Sequence, residues 1–263
     1  MRSPRLAVLL LCLLPATARA QALWPRPLAG AGEIGLEWVR PTFDNDESFG
    51  GTRGVWVIDA RVKVAPRVNA IAALPRLTDG ENATPGNILL GVEFTDSTGR
   101  PEFTLGLRHG STSTTSPTPF YVGALGDYDR LEQAIPEGWI LNTVGHVRPW
   151  SAPDGGFAEL RFGVTGVFMN EEGVRSTSML LDYGIRIGAE KESFGFGLGV
   201  TGRWPLTGTT GGSVASAVHQ VFGDATYLKG IVQPTVGVRL PFDEDLGTVL
   251  DYALTFGVKV VIK

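Results

Sequence analysis

The chain has 263 residues, of which 43% are hydrophobic and 19% charged, with 35 glycines and a single cysteine. Its 27 acidic residues outnumber its 23 basic ones, and the formal net charge of −4 argues against nucleic-acid binding, as does the lack of a basic patch in the sequence. The one cysteine, Cys12, lies near the start, so the remainder of the sequence provides neither disulfides nor thiolate ligands for a metal.

Residues 1–20 have the organisation of an export signal. Arg2 and Arg5 form a basic start, residues 6–14 form an apolar core, and a small-x-small motif ends at Ala20. The apolar core is too short to cross a bilayer as a helix. Leu11 also precedes the cysteine at the position where a lipid-anchored protein would require a small residue. We therefore expect cleavage after Ala20, which removes three arginines and changes the formal net charge from −4 to −7.

From residue 33 onward, apolar and polar residues alternate with a period of two. The alternation is clearest in residues 33–38, 56–64, 88–95, 103–107, 158–168, 181–189 and 250–262. Repeated alternation of this kind predicts an antiparallel sheet with one apolar face. Eleven strands are clear and one, around Val214–Phe222, is doubtful. Because both termini are expected on one side of a membrane, the strand number must be even, and we predict twelve strands, with ten and fourteen as alternatives.

Short and long connections also alternate along the chain, as is typical of transmembrane β-barrels. Short turns are expected at 66–67, 96–101, 151–156 and 190–193, and longer loops at 44–54, 78–86, 110–138 and 205–227. In the longest loop, Tyr128, Leu131 and Ala134 have helical spacing, with Asp127 as the N-cap and Pro136 as the stop. We expect a short helix there, which either folds into the mouth of a barrel or lies on its rim.

The stretch FGFGLGVTGRW, residues 194–204, shows the alternation in its most extreme form. Its apolar residues are Phe194, Phe196, Leu198 and Val200, and they alternate with Gly195, Gly197, Gly199 and Thr201. Glycine is normally avoided in strand interiors because it adds no packing and loses much backbone entropy. We interpret the apolar set as facing lipid and the glycines as leaving room in a lumen for longer side chains from across the barrel.

The polar face does not have the composition of a water-exposed surface, as it would in a lipocalin-like soluble barrel. It consists of small residues with charges of both signs, which are typical of a crowded polar lumen. The charged residues predicted to line the lumen are Glu37, Asp59, Arg61, Lys63, Glu93, Arg108, Glu159, Arg161, Asp182, Arg186, Arg203 and Arg239. Tryptophans predicted to form girdles at the two membrane interfaces are Trp38, Trp56, Trp139 and Trp204 at the end with long loops and Trp150 at the opposite end.

In these features the chain resembles bacterial outer-membrane β-barrel proteins of Gram-negative cells, over roughly residues 33–263. The resemblance implies an all-β fold, a single antiparallel barrel preceded by a short periplasmic segment at residues 21–32, in the outer membrane. It implies membrane lipid, lipopolysaccharide and the barrel-assembly machinery as partners, and no cofactor; the oligomeric state stays open. One departure is the end of the sequence, VVIK, where such barrels usually end on an aromatic residue.

The motif LRHGSTS, residues 107–113, is the strongest candidate for chemistry. His109 and Ser111 are two residues apart at the end of an outward-facing apolar set. This His-x-Ser pair is similar to that of outer-membrane phospholipase A and of the lipid A deacylases. The resemblance implies that Ser111 is the nucleophile, His109 the base and Asn142 the residue that orients the base. Ser111 is followed by Thr-Ser rather than by the Asn-Gly-Arg of the phospholipase family.

Two acidic clusters and two histidines complete the candidates. The clusters DNDE, residues 44–47, and DED, residues 243–245, either bind a divalent cation or are solvated turns, and the second interpretation is favoured because neither has the spacing of a calcium loop. His146 and His219 have no second ligand at a useful spacing, so we expect no metal site.

These patterns leave three functions open. The first is a small passive channel or transporter for polar or amphipathic solutes, favoured by the charges of both signs and the long loops. The second is a closed barrel with a structural or surface-interaction role. The third is a lipid-ester hydrolase at His109 and Ser111. An open and a plugged lumen both require inward-facing charges, so the sequence does not separate the first two.

Overall fold

The computed structural model describes residue 24 and residues 26–43, 53–110, 117–136, 138–171, 174–207 and 217–263. Its strands are β1 (Gly32–Phe43), β2 (Gly54–Ala65), β3 (Val68–Thr78), β4 (Ala83–Pro85), β5 (Ile88–Thr95), β6 (Pro101–His109), β7 (Trp139–Ser151), β8 (Gly156–Glu171), β9 (Val174–Glu190), β10 (Phe194–Pro205), β11 (Val218–Tyr227), β12 (Val232–Pro241) and β13 (Leu250–Ile262). Helix α1 (Pro117–Gly126), a 3-10 helix (Tyr128–Gln133) and helix α2 (Glu244–Gly247) lie between strands. None of the helices in these ranges is long and apolar enough to cross a membrane.

The strands form one closed antiparallel barrel. Apart from the short β4, the strands pair in chain order: β1 pairs with both β13 and β2, β2 with β3, and β3 with β5, so the barrel has no free edge. The three-residue β4 adds only to the end of β3, which leaves twelve barrel strands, as predicted from the sequence. The doubtful strand is β11, Val218–Tyr227; residues 214–216 of the predicted range lie outside the described residues.

The two ends of the barrel differ in their connections. At one end Gly32 pairs with Ile262, and the connections between strands are short, such as the turn at residues 66–67. We call this the turn end. The opposite end, the loop end, carries the longer connections, including residues 110–138 between β6 and β7. Residues 117–136 of that connection are called the lumen loop here, because they enter the barrel.

The alternating strands place their apolar residues outside and their polar residues inside. On β10, Phe194 is 61% exposed and Leu198 is 60% exposed, whereas Arg203 on the inward face is 2% exposed. In a barrel dissolved in water the apolar set would be buried and the charged set exposed. A continuous apolar outer wall around a charged interior is the arrangement of a barrel that faces lipid.

The glycines of β10 make room for neighbouring side chains and for the N-terminal segment. A Cβ atom at Gly197 would lie 2.2 Å from Nε of Arg186 on the adjacent strand, and one at Gly199 would lie 2.6 Å from the ring of Phe222 on the other adjacent strand. At Gly195 it would meet the guanidinium of Arg26 at 2.6 Å. The expectation that side chains from across the barrel fill this space is therefore wrong. Side chains of the two adjacent strands and Arg26 of the N-terminal segment fill it.

Four outward-facing tryptophans lie near the ends of strands, and the fifth, Trp38, lies in the middle of β1. Trp38 and Trp56 are cross-strand partners whose rings stack at 5.2 Å, with planes 5° apart. Trp139 begins β7 and Trp204 is near the end of β10, both at the loop end, while Trp150 lies at the turn end of β7. Indole prefers the level of lipid headgroups, and these positions fit two interfacial girdles. The sixth tryptophan, Trp24, lies instead inside the barrel.

Candidate functional site: the lumen

The lumen loop is fastened inside the barrel through Asp127, between α1 and the 3-10 helix. This carboxylate is fully buried. It accepts hydrogen bonds from Arg130 Nε at 2.7 Å and Gln133 Nε2 at 2.8 Å within the loop, and from Arg239 Nη1 on β12 at 2.5 Å. Asp127 was predicted as a helix N-cap, but its side chain caps no helix. It joins the loop to the barrel wall.

Three further charged residues of the 3-10 helix reach other strands. Arg130 forms an ion pair with Glu37 on β1. Glu132 pairs with Arg203 on β10 at 2.7 Å and lies 3.7 Å from the guanidinium of Arg108 on β6. Asp129 accepts a hydrogen bond of 2.6 Å from the hydroxyl of Thr201, also on β10. The loop thus contacts widely separated parts of the wall, and its charges neutralise those of the strands.

Asp127 and Glu132 of the lumen loop are held in the ionised form by the arginines around them. Burial opposes the ionisation of Asp127, but the guanidiniums of Arg130 and Arg239 outweigh it and lower its pKa to about 2. For Glu132, burial is likewise outweighed by Arg203 and Arg108, and its pKa is lowered. Each of these two carboxylates is therefore compensated by arginines, as a stable buried ion network requires.

The sequence predicted the helical turn after Asp127 but not α1, which precedes it. A loop with four charges in the seven residues from Asp127 to Gln133 is a signal that could have indicated buried pairing with inward-facing strand charges. It was not recognised because a charged surface loop has the same composition. Of the two alternatives for this segment, the structure shows the one in which it folds into the barrel.

A second segment enters from the turn end. Trp24, 5% exposed, stacks on the inward-facing ring of Phe222 with centroids 5.9 Å apart, and its edge meets His146 at 6.4 Å. Arg26 forms a 2.8 Å ion pair with Glu190, at the end of β9. The carbonyl oxygen of Arg26 accepts a 3.0 Å hydrogen bond from Arg61. We call residues 24 and 26–31 the N-terminal segment; the described part of the predicted periplasmic segment thus begins within the barrel.

The structure places the predicted lumen residues on inward faces, with Lys63 exposed at the turn end. Arg61 contacts Glu33 at 2.9 Å and Glu93 at 2.5 Å, and Arg186 contacts Asp224 at 2.7 Å and Glu159 at 3.2 Å. Asp182 pairs with Arg203 at 2.6 Å. The inward-facing charges that the sequence did not single out are Glu33, Arg148, Glu190, Asp224 and Lys259. They follow from the same alternation, and a stricter count of parity along each strand would have found them.

Two of the cavities in the described structure share a lining residue, His146. The central cavity has a volume of about 150 Å³ and is lined by Arg130 and Glu132 of the lumen loop and by residues of β2, β3, β5 to β9 and β13. The second, of about 360 Å³, is lined by Trp24 and Pro27 and by residues near the turn end. His146 lines both cavities and therefore marks the point where they meet.

The proposed His109–Ser111–Asn142 constellation is only partly within the described residues. His109 is exposed on the outer wall, where its ring contacts that of Trp139 edge-on at 4.7 Å. Asn142 lines the central cavity, and its amide donates a 2.9 Å hydrogen bond to Thr165. The structure does not bring Asn142 to His109, because the two residues lie on opposite faces of the wall. Ser111 lies outside the described residues, so its pairing with His109 stays a prediction.

His219, which the sequence left isolated, is part of a hydrogen-bonded chain on the outer wall near the loop end. Its Nδ1 lies 3.0 Å from the carboxylate of Asp243, and its Nε2 lies 2.6 Å from the hydroxyl of Tyr183. Gly202 leaves room for the tyrosine ring, since a Cβ there would lie 2.5 Å from it. The contacts satisfy polar groups that would otherwise face lipid. Asp243, from the cluster DED, is thus bonded to a side chain; residues 44–47 of the other acidic cluster lie outside the described residues.

An apolar outer wall, a closed strand ladder and a charged, loop-filled lumen define a barrel protein of the membrane-spanning type. Among solved structures, an outer-membrane channel from Pseudomonas putida F1 shares this fold, with a TM-score of 0.61 at 12% identity, covering 93% of this chain and 99% of that one. The NanC porin also shares it, with a TM-score of 0.53 at 8% identity, over 87% of this chain and 100% of that one. At such identities the similarity is one of fold. No protein-family model and no curated sequence matches the chain.

Proposed function

We propose that the protein is a passive outer-membrane channel for small polar or amphipathic solutes, constricted by the lumen loop. The observation that supports the proposal most directly is the position of this loop inside the barrel. Asp127, Arg130 and Glu132 bind four different strands, while the central cavity remains beside Arg130 and Glu132. The anchored loop therefore leaves space for a solute next to it.

The electrostatics of the wall favour small solutes of mixed polarity. Guanidiniums and carboxylates alternate around the lumen, so no single sign of charge dominates the route. Binding is then weak and distributed over several sites, which permits release as well as entrance. The predicted export signal, the lipid-type outer wall and the two tryptophan girdles support a location in the outer membrane.

The test is the conductance of the refolded mature protein in a planar bilayer. We expect small, discrete current steps from the wild-type protein and larger steps from Asp127→Ala, in which the loop loses its anchor. Asp154→Ala, which removes an exposed carboxylate at a turn, is the matched control and should behave as the wild type. The absence of current from both the folded wild-type protein and folded Asp127→Ala would contradict the proposal.

A second candidate, a closed barrel with a structural or surface-interaction role, is favoured by the filling of the lumen from both ends. Trp24 and Arg26 of the N-terminal segment and most of residues 127–134 of the lumen loop are buried inside the barrel. The same recordings separate the two candidates. Current steps from Asp127→Ala but none from the wild-type protein, at any voltage the bilayer tolerates, would support the closed barrel.

A further inference from the structure

The central cavity has one aliphatic wall. Inward-facing apolar residues of β2, β3, β5 and β7 form it: Val57, Ile71, Ala73, Leu89 and Val144. Its volume of about 150 Å³ equals that of a cavity known to accommodate benzene, about six heavy atoms. An apolar surface inside an otherwise charged lumen indicates that the ligand has an apolar body of this size.

Arg161, on β8, is exceptional among the inward-facing arginines of the described strands. It is 8% exposed and lines the central cavity, yet no described carboxylate lies within ion-pairing distance of it. The inward-facing arginines that do have such a partner are Arg61, Arg108, Arg148, Arg186, Arg203 and Arg239. Strand register explains the difference, because the residues beside Arg161 are His146 and Gly184.

Asp182, an acid that also lines the central cavity, already has other partners. It pairs with Arg203 at 2.6 Å and accepts a 2.7 Å hydrogen bond from Thr165. Asn142, beside Thr165, leaves its carbonyl oxygen buried without a hydrogen-bond partner among the described residues. A buried guanidinium without a partner is costly, and a ligand carboxylate would remove that cost.

An unpaired acid lines the same cavity. Asp59, on β2, has neither a hydrogen bond nor an ion pair to any residue that the structure describes. Gly35 on β1 gives its carboxylate space, since a Cβ at Gly35 would lie 2.2 Å from Oδ1. The cavity therefore presents one acid and one arginine, neither of them ion-paired with a described residue, beside an aliphatic wall.

We infer that the central cavity binds a compact zwitterion of about six carbons, with its carboxylate on Arg161, its ammonium on Asp59 and its hydrocarbon body on the aliphatic wall. A singly charged solute would leave one of the two protein charges unpaired. The inference rests on one part of the proposed channel function, namely that a solute can reach the lumen. Binding itself is measured without transport.

The experiment is titration calorimetry of the refolded protein in detergent, with four small probes, three of which share the branched hydrocarbon group of leucine. Leucine and its isomer 6-aminohexanoate carry both charges at different spacings, 4-methylpentanoate lacks the ammonium, and 3-methylbutylamine lacks the carboxylate. At least one zwitterion should bind about tenfold more tightly than both singly charged probes, the difference expected for one charged hydrogen bond. Equal affinities for all four probes, or no binding of either zwitterion, would overturn the inference.

Two variants test which residue binds each charged group of the zwitterion. Arg161→Gln should weaken the zwitterion about tenfold and leave the amine unchanged, whereas Asp59→Asn should weaken the zwitterion and leave 4-methylpentanoate unchanged. Arg148→Gln is the matched control, because Arg148 is an inward arginine outside the central cavity and its acids Glu159 and Glu190 each keep another partner. Zwitterion binding without conductance would contradict the channel alone. Conductance without zwitterion binding would contradict this inference alone.

Discussion

The lumen loop and the N-terminal segment fill opposite ends of the same barrel by different means. The loop is bonded through buried ions: Asp127, Arg130 and Glu132 each reach the wall. Among its described residues, the N-terminal segment is attached by the ion pair of Arg26 with Glu190, by hydrogen bonds to the Arg26 carbonyl and the Ala31 backbone, and by the packing of Trp24. Ion networks are directional and costly to break, whereas aromatic packing is non-directional. We expect the loop to be the fixed constriction and the N-terminal segment the closure that moves.

The largest effect is expected from Asp127→Ala. The substitution leaves Arg130 and Arg239 without the carboxylate that bridges them, at a cost of about 4 kcal/mol for a broken buried ion pair. The loop should leave the lumen, which raises single-channel conductance and sensitivity of the loop to protease. An unchanged conductance from Asp127→Ala would show that the loop is not the constriction.

A smaller effect is expected from Trp24→Ala. The buried ring packs against Phe222 and His146, and its removal should weaken the attachment of the N-terminal segment by roughly 3 kcal/mol. We expect more frequent openings in bilayer recordings, with the step size of the wild type because the lumen loop is unaffected. Trp150→Ala, on the outer wall, is the control and should leave gating unchanged. A step as large as that of Asp127→Ala would reverse the roles assigned to the two segments.

Acid should release the lumen loop but only at low pH. The pKa of Asp127 is lowered from 3.8 to about 2, so the stabilisation from its charge is fully present above about pH 4 and is lost as the pH falls toward 2. The shift corresponds to roughly 2 kcal/mol. Conductance should be constant from pH 7 to pH 5 and increase below pH 4. The conductance of Asp127→Asn should not increase in this way below pH 4, because the variant lacks the carboxylate. An increase in wild-type conductance already at pH 6 would show that other titratable groups release the loop.

The smallest effect is expected from Gly195→Ala, which adds a methyl group 2.6 Å from the guanidinium of Arg26. Because Arg26 is long and flexible, it can shift, and we expect a cost of about 1 kcal/mol in attachment of the N-terminal segment. Gly247→Ala is the control, since a Cβ there meets nothing within 4 Å. The measurement is the fraction of time spent open in bilayer recordings. A loss as large as that of Trp24→Ala would show that the ion pair of Arg26 dominates.

The sequence determined the barrel. Alternation with a period of two, as in residues Phe194 to Val200, predicts which side chains share a face of the sheet. The even strand number follows from the expectation that both termini lie on the same side of the membrane. The apolar residues therefore faced outward in the prediction as they do in the structure. These features are local, because they depend on neighbours along a strand.

Only the tertiary structure decided what fills the barrel. The pairing of Asp127 with Arg239, 112 residues apart, and the contact of Trp24 with Phe222 join segments whose separation in sequence carries no periodic signal. The same holds for the unpaired state of Arg161, which depends on the register of β7, β8 and β9 around it. Alternation assigns a side chain to a face, but its partner on that face is set by strand register and loop placement.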